Sequence, residues 1–228
     1  MELFRKLRER FGAKPAAPAV RPSGLSSGLN TELREKIRRS FDELSRDEEH
    51  FPSTIDPRIQ HVQIILKYFG PLADKKVLDA GCGKGRFARV LLDQNPGAEI
   101  WGLDISEQML RYVPAGIHTR VGSLTELPFP DASFDFVYAT ESLEHAVEIE
   151  RAVGELCRVL KPGGKLVIID KNAEHWGKLA TPAWEKWFDR GELERYLGRH
   201  CHMVSSQSIS YWEDVEPDGL FLAWLALK

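Results

Sequence analysis

The stretch Val77-Leu78-Asp79-Ala80-Gly81-Cys82-Gly83-Lys84-Gly85-Arg86 decides how the rest of the chain is read. Val77 and Leu78 carry a strand into Asp79, and three glycines follow at alternate positions. A helical pattern begins at once with Phe87, Val90 and Leu91. Strand, glycine turn and helix make a ligand-binding edge in an α/β sheet. A dinucleotide turn wants Gly-x-Gly-x-x-Gly, with the third glycine letting helix approach strand. Here Gly85 comes one residue early and Arg86 stands in that place.

Outward from this stretch, strands and helices alternate. Strands are expected at Lys76–Ala80, Glu99–Asp104, Ile117–Val121, Phe134–Thr140 and Lys165–Asp170, with helical patterns at 85–94, 106–112 and 147–160 between them. Alternation of this kind gives a parallel sheet covered on both faces, with right-handed crossovers. Two further strand-like runs, Met203–Ser210 and Leu220–Leu227, are separated by Trp212–Gly219 and should pair antiparallel. A helix is expected near 191–200. Upstream, Asn30 and Thr31 offer an N-cap for a polar helix through about Glu49. A second helix is expected from Pro57 to Phe69, capped by Asp56, with Ile59, Val62, Ile65, Leu66 and Phe69 on one stripe.

Residues 1–30 differ in character. Leu3, Phe4, Leu7 and Phe11 fall at helical spacing among five basic residues, the pattern of a short helix that lies on an anionic membrane, docks on a partner or packs on its own domain. Residues 15–30, rich in Pro, Gly and Ser, read as a linker. The expected organisation is therefore this segment followed by a domain over 31–228: helices at 31–70, a ligand-binding core at 71–170, and a closing part at 171–228.

The composition fits one globular domain with additions: 228 residues, 43% hydrophobic and 29% charged. A net charge of -3 gives no overall basic field for nucleic acid. Cys82, Cys157 and Cys201 form no Cys-x-x-Cys pair, which argues against a disulfide framework and fits a reducing, cytoplasmic setting. No run of 18 apolar residues is present, and the N-terminus has no secretory pattern.

Two carboxylates flank the glycine turn. Asp79 precedes it and offers a site for an ammonium group, directly or through water. Asp104 ends the second strand and can take both hydroxyls of a ribose. A ribose and a cationic amine, with no arrangement that demands a diphosphate, describe S-adenosylmethionine. Asp79-Ala80-Gly81-Cys82-Gly83-Lys84-Gly85 resembles the first motif of class I S-adenosylmethionine-dependent methyltransferases. Three more pieces match in order. Leu103-Asp104-Ile105-Ser106 with Met109-Leu110 resembles the ribose and adenine motif. Leu127-Pro128-Phe129 with Ser133-Phe134-Asp135 resembles the lead into the fourth strand. Leu160-Lys161-Pro162-Gly163-Gly164 resembles the turn before the fifth. The resemblance covers residues 76–170 and implies a Rossmann-like sheet of seven strands, mostly parallel, with a C-terminal antiparallel hairpin. It also implies that Asp79, Gly81 and Gly83 hold the methionine end, Asp104 the ribose and Ile105 one adenine face, with Thr140 closing the methionine side. Many relatives carry an acid where Ser123 stands, so Ser123 or the backbone at Leu124 would meet the adenine amino group.

Glu141-Ser142-Leu143-Glu144-His145 follows the fourth strand at its carboxyl end. In a helical turn Glu141, Glu144 and His145 would share a face and could hold a divalent cation. This run resembles the metal-binding segment of ubiquinone-pathway and small-RNA O-methyltransferases, although Ile149 stands where the latter carry another histidine. His175 is a candidate distant ligand. The competing readings make His145, with Glu144, the catalytic pair lining the acceptor pocket, or a structural cap. Residues 171–190 gather His175, Trp176, Trp184, Trp187 and Phe188 and should cover the acceptor, with the two tryptophans Trp184 and Trp187 leaning toward core packing. The expected reaction is transfer of a methyl group to an oxygen or nitrogen of a small molecule. An RNA or protein acceptor, a non-catalytic cofactor-binding module and a nicotinamide oxidoreductase are the alternatives. The expected location is cytoplasmic, with membrane-peripheral contact if residues 1–14 dock there.

Overall fold

A computed structural model describes residues 27–210 and 217–228. The basic pattern at 1–14, most of the linker, and residues 211–216, which open the Trp212–Gly219 connection, lie outside the described residues. The seven described strands are β1 (Lys76–Ala80), β2 (Glu99–Asp104), β3 (His118–Val121), β4 (Phe134–Thr140), β5 (Leu160–Lys171), β6 (Met203–Ile209) and β7 (Phe221–Leu227). They form one sheet in the order β3-β2-β1-β4-β5-β7-β6. Pairing is parallel from β3 to β5, and β7 runs antiparallel to both β5 and β6. The Rossmann-like sheet and its terminal hairpin stand as expected. Strand β5 begins earlier than expected, because Leu160 pairs with Phe134 across a register shift before Lys165 pairs with Phe136.

The helices are α1 (Ser27–Leu44), α2 (Gln60–Phe69), α3 (Arg86–Gln94), α4 (Glu107–Leu110), α5 (Ile149–Val159) and α6 (Arg190–Leu197). Side chains alternate across the strands, as a period of two requires. Leu78, Ala80, Val137, Ala139, Leu166 and Ile168 meet α5 and α6 on one face. Val77, Phe136, Tyr138, Val167 and Ile169 meet α2 and α3 on the other.

Two helix boundaries differ from the sequence pattern. Helix α1 starts at Ser27, inside the stretch that reads as linker, and stops at Leu44 rather than Glu49. It stops because the Asp47 carboxylate accepts from the backbone N–H groups of Glu49 and His50, turning the chain locally. Helix α2 starts at Gln60 rather than Pro57; Asp56 accepts from the Arg58 backbone and guanidinium in the turn before it. Among the described residues, no helix is long and apolar enough to cross a membrane.

Candidate active site

The carboxyl ends of β1, β2 and β4 open onto one cavity of about 430 Å³, roofed by α1 and by the segment after β5. Its floor is the glycine turn. Gly81 and Cys82 donate backbone N–H bonds to Leu103 O at 2.7 and 2.9 Å, which presses the turn against the end of β2. Gly81 adopts φ 84°, and a Cβ there would stand 2.4 Å from the Ser142 Cβ, so only glycine fits. Gly83, at φ 53°, has open space where a Cβ would be.

Gly81, Gly83, Asp104, Ile105, Ser123, Leu124 and Thr140 all line this cavity. Asp104 accepts from Gly83 N through Oδ2 and from Ser106 N through Oδ1, both at 2.8 Å. Burial pushes its carboxyl up to about 6, against the pull of those N–H groups. Ser123 is engaged in its own turn, with its hydroxyl 2.9 Å from the Thr125 hydroxyl. The Thr140 hydroxyl, in contrast, has no hydrogen-bond partner among the described residues. Asp79 does not line the cavity. It lies behind the turn at 1% exposure, with Oδ2 unpartnered among the described residues. Burial lifts its carboxyl to about 7, with Tyr138 pulling the other way and Asp104 adding to the rise.

The acidic run after β4 is built differently from one helical face. Glu141 sits at φ 51°, in the left-handed region, so the chain turns sharply before the short 3₁₀ turn Leu143–His145. Its carboxylate meets the Arg86 guanidinium at 3.1 Å and lies 3.9 Å from His61 Nε2. Burial would raise the Glu141 pKa, but Arg86, His61 and Lys171 together hold it below the ordinary value. Glu144 and His145 instead face Glu185, from the segment after β5. Nε2 of His145 is 3.4 Å from Glu144 Oε1 and Nδ1 is 4.0 Å from Glu185 Oε2. Burial, reinforced by Asp170 and Glu185, pushes the Glu144 carboxyl well above the ordinary value. Burial also depresses the His145 imidazole to about 4, so it is neutral near pH 7.

This corrects the expected metal set of Glu141, Glu144 and His145. The three residues that could each offer a ligand atom, all within 4.8 Å of one another, are Glu144, His145 and Glu185. Yet Lys171 Nζ contacts Glu144 Oε1 and stands 3.2 Å from Glu185 Oε1. Burial opposes its charge, but the surrounding carboxylates, Glu144 first, raise its pKa and keep it cationic. A donor set already filled by an ammonium does not fit a divalent ion. His175 is also displaced from this pole; it lies beside Gly219, where an added Cβ would meet its Nε2 at 3.1 Å.

Residues 171–190 do cover the cavity, through Lys171, Leu179, Ala180, Thr181, Pro182, Trp184 and Glu185. Trp187 is core, donating its indole N–H to Glu185 at 2.9 Å, whereas Trp184 faces the cavity with its indole N–H unpartnered among the described residues. The α1 roof brings Ile37, Phe41 and Leu44, with Phe41 edge-on to His145 at 5.0 Å between ring centres. Two contacts fasten the roof to the floor. Ser106 donates to Asp42 at 2.6 Å, and buried Lys84 of the glycine turn reaches Glu48 at 2.6 Å.

A glycine turn under a parallel sheet edge, an acid ending β2 and the β7 insertion agree with a methyltransferase relative 30% identical over 68% of the chain: the chain belongs to the class I S-adenosylmethionine-dependent methyltransferases. A family model described as a methyltransferase domain matches residues 78–168. A demethylmenaquinone methyltransferase of Listeria monocytogenes is 30% identical over 167 residues, covering 68% of this chain and 68% of that one. The O-methyltransferase cnsE of Penicillium expansum is 37% identical over 114 residues, 46% of this chain. Against cnsE and two further curated relatives, the chain spans only 38–48% of their length. Among solved structures, a phosphoethanolamine N-methyltransferase of Haemonchus contortus in complex with S-adenosyl-L-methionine matches with TM-score 0.66 at 18% identity, covering 91% of this chain and 61% of that one. At that identity the likeness concerns the fold.

Proposed function

We propose that the protein transfers the methyl group of S-adenosylmethionine to an oxygen of a small-molecule acceptor. One observation carries this reading: a single cavity joins the Gly81–Gly83 turn and Asp104 to the pole of Glu144, His145 and Glu185, under one roof. The residues fit the cofactor. Asp104 presents a buried carboxylate for ribose hydroxyls, Gly83 leaves room for backbone approach, and Thr140 holds an unpartnered hydroxyl at the methionine side. When bound, the cofactor supplies an electrophilic methyl on a sulfonium. The chain's own part is to align an acceptor with it and exclude water, which α1 and residues 171–190 serve. Asp79, behind the turn, would act on the cofactor amine through the turn's backbone or a water rather than as a lining residue.

An oxygen acceptor is favoured over nitrogen by charge. Glu141, Glu144, Asp170 and Glu185 surround the pole. An amine among four carboxylates would be kept protonated, without the lone pair that attack needs. A hydroxyl needs a group to receive its proton, and a neutral His145 supplies one. The apolar walls (Ile37, Phe41, Leu44, Leu179) suit a largely apolar acceptor. The test is methyl transfer from labelled cofactor into the small-molecule fraction of a cell extract, alongside calorimetry with S-adenosylhomocysteine. Label in a base-stable ether supports the reading. Tight cofactor binding with no transfer to any fraction would make the chain a binding module, and preference for NAD would overturn the class of reaction.

A further inference from the structure

The pole at the acceptor end of the cavity has the donor set of a metal centre and a lysine inside it. Glu144 comes from the 3₁₀ turn, Glu185 from the covering segment and Lys171 from the end of β5. Backbone bonds lock this meeting. Lys186 N donates to Glu144 O at 2.9 Å, and Glu144 N donates to Asp170 Oδ2 at 3.2 Å. The carboxylates are therefore held together whether or not an ion is supplied from outside. Four carboxylates (Glu141, Glu144, Asp170, Glu185) face this pole against Lys171 and the Arg86 that pairs with Glu141. Removing the ammonium would leave buried like charges in contact, which a site cannot sustain unless protons or another cation take its place.

We propose that Lys171 is the resident cation of this pole, standing where a divalent ion would stand between Glu144 and Glu185 and positioning them with His145 around the acceptor hydroxyl. The ammonium has three N–H donors. One is donated to Glu144 Oε1 and the charge also lies 3.2 Å from Glu185 Oε1, which leaves an N–H for an oxygen in the cavity that Lys171 lines. A second, independent feature points to a ligand at this spot. Glu144 is 1% exposed and lines the cavity, yet its Oε2 has no hydrogen-bond partner among the described residues; neither has His145 Nδ1. A hydroxyl can give its proton to His145 Nδ1 and accept from Nζ. The role given to Lys171 rests on the methyl-transfer reading only for the identity of that hydroxyl; the exclusion of metal does not.

The experiment uses the full chain and cobalt(II), whose visible absorption reports carboxylate and imidazole ligation. The unaltered protein should show no bound-cobalt spectrum, and cobalt or a chelator should leave its unfolding temperature unchanged. Lys171→Met should bind one cobalt per chain, at least about tenfold more tightly than the unaltered protein. Lys171→Arg, which keeps the cation, should bind none, and adding Glu144→Gln to Lys171→Met should abolish the spectrum. Cobalt binding by the unaltered protein that Glu144→Gln removes overturns the proposal, as does a folded Lys171→Met that takes up no cobalt. The measurement on the unaltered protein decides the matter even if Lys171→Met fails to fold. Calorimetry with S-adenosylhomocysteine on the same samples separates the two readings, since an unaltered protein that binds no cofactor would refute the methyl-transfer reading alone.

Discussion

Asp79→Asn should spare the cofactor-free protein a loss of stability as pH rises, so that its stability relative to the unaltered protein climbs from about pH 5 to about pH 7 and levels off above that. Asp79 is 1% exposed, with one carboxylate oxygen unpartnered among the described residues. Burial lifts its pKa from 3.8 to about 7 in the folded chain. A carboxyl with a raised folded pKa keeps its proton in the native state over a range where the unfolded chain has lost it. Its contribution to stability is therefore fully present below the unfolded value and is lost as pH rises through the folded value. Each pH step of one between those two values costs about 1.4 kcal/mol, so moving from about pH 5 to about pH 8 should cost the aspartate protein about 2–3 kcal/mol that the asparagine protein does not lose. Asparagine carries its own unpartnered amide, so the absolute difference at one pH depends on how that amide settles beside Tyr138. The dependence on pH does not. Urea unfolding followed by tryptophan fluorescence at several pH values, on both proteins without cofactor, measures it. A stability difference that is flat with pH, or that moves against the variant as pH rises, would refute the reasoning. The same substitution should weaken S-adenosylmethionine binding, because a carboxylate behind the turn favours a cationic ligand in the cavity through the turn's backbone or a water.

Asp104→Asn should weaken S-adenosylhomocysteine by about 1.5–3 kcal/mol, the range for lost charge-assisted hydrogen bonds, read by calorimetry; unchanged affinity removes Asp104 from the ribose. Gly81→Ala should cost about 2–5 kcal/mol from the left-handed backbone and the Ser142 overlap. Because the clash is with the Ser142 Cβ, Ser142→Ala should not relieve it and Ser142→Gly should relieve part of it in thermal unfolding. With any acceptor found, and with cofactor and acceptor saturating so that loss of the Asp104 and Asp79 charges does not limit binding, the acid limb of kcat should fall near the depressed His145 value of about 4, since the neutral base persists down to there; a kcat limb near 6.5 under saturation contradicts a buried imidazole. Asp42→Ala removes the bond from α1 to Ser106 and should speed cofactor release in stopped-flow measurements, with little effect if α1 is not a roof.

The strands beneath the glycine turn are legible in the sequence because their geometry is local. Strands β1, β2 and β4 match their expected bounds, since continuous apolar runs ending in Asp, Thr and Gly read directly as buried parallel strands. The acceptor side is not, because it is assembled from distant segments. Glu185 meets Glu144 from a different part of the chain, beyond the whole of α5 and β5, and no spacing rule connects them. The i, i+3 relation of Glu141 to Glu144 suggests a shared helical face, but a left-handed residue breaks that face at its first member. The one available signal for Lys171 is a basic residue following the apolar run Leu166–Ile169, which is buried, and a buried cation demands nearby acids. Residues Asp42 and Ser106 touch because α1 packs over α4, a tertiary fact that amphipathic patterning alone does not order.

The place of β7 bears on how the protein comes into being. It is last among the strands in sequence but sits between β5 and β6 in the sheet. The glycine turn, Asp104, Glu144 and Lys171 are all synthesised by the time β5 ends, yet β5 shows a bare edge until residues 221–227 arrive. Lys228 then donates to the carbonyls of Cys157 and Leu160, both at 2.7 Å, tying the end of β7 to the exit of α5. A nascent chain thus carries a nearly complete cofactor cradle beside an unpaired strand edge, a state prone to pairing with other chains. Early capture of cofactor by that half would shorten the interval in which the edge is at risk.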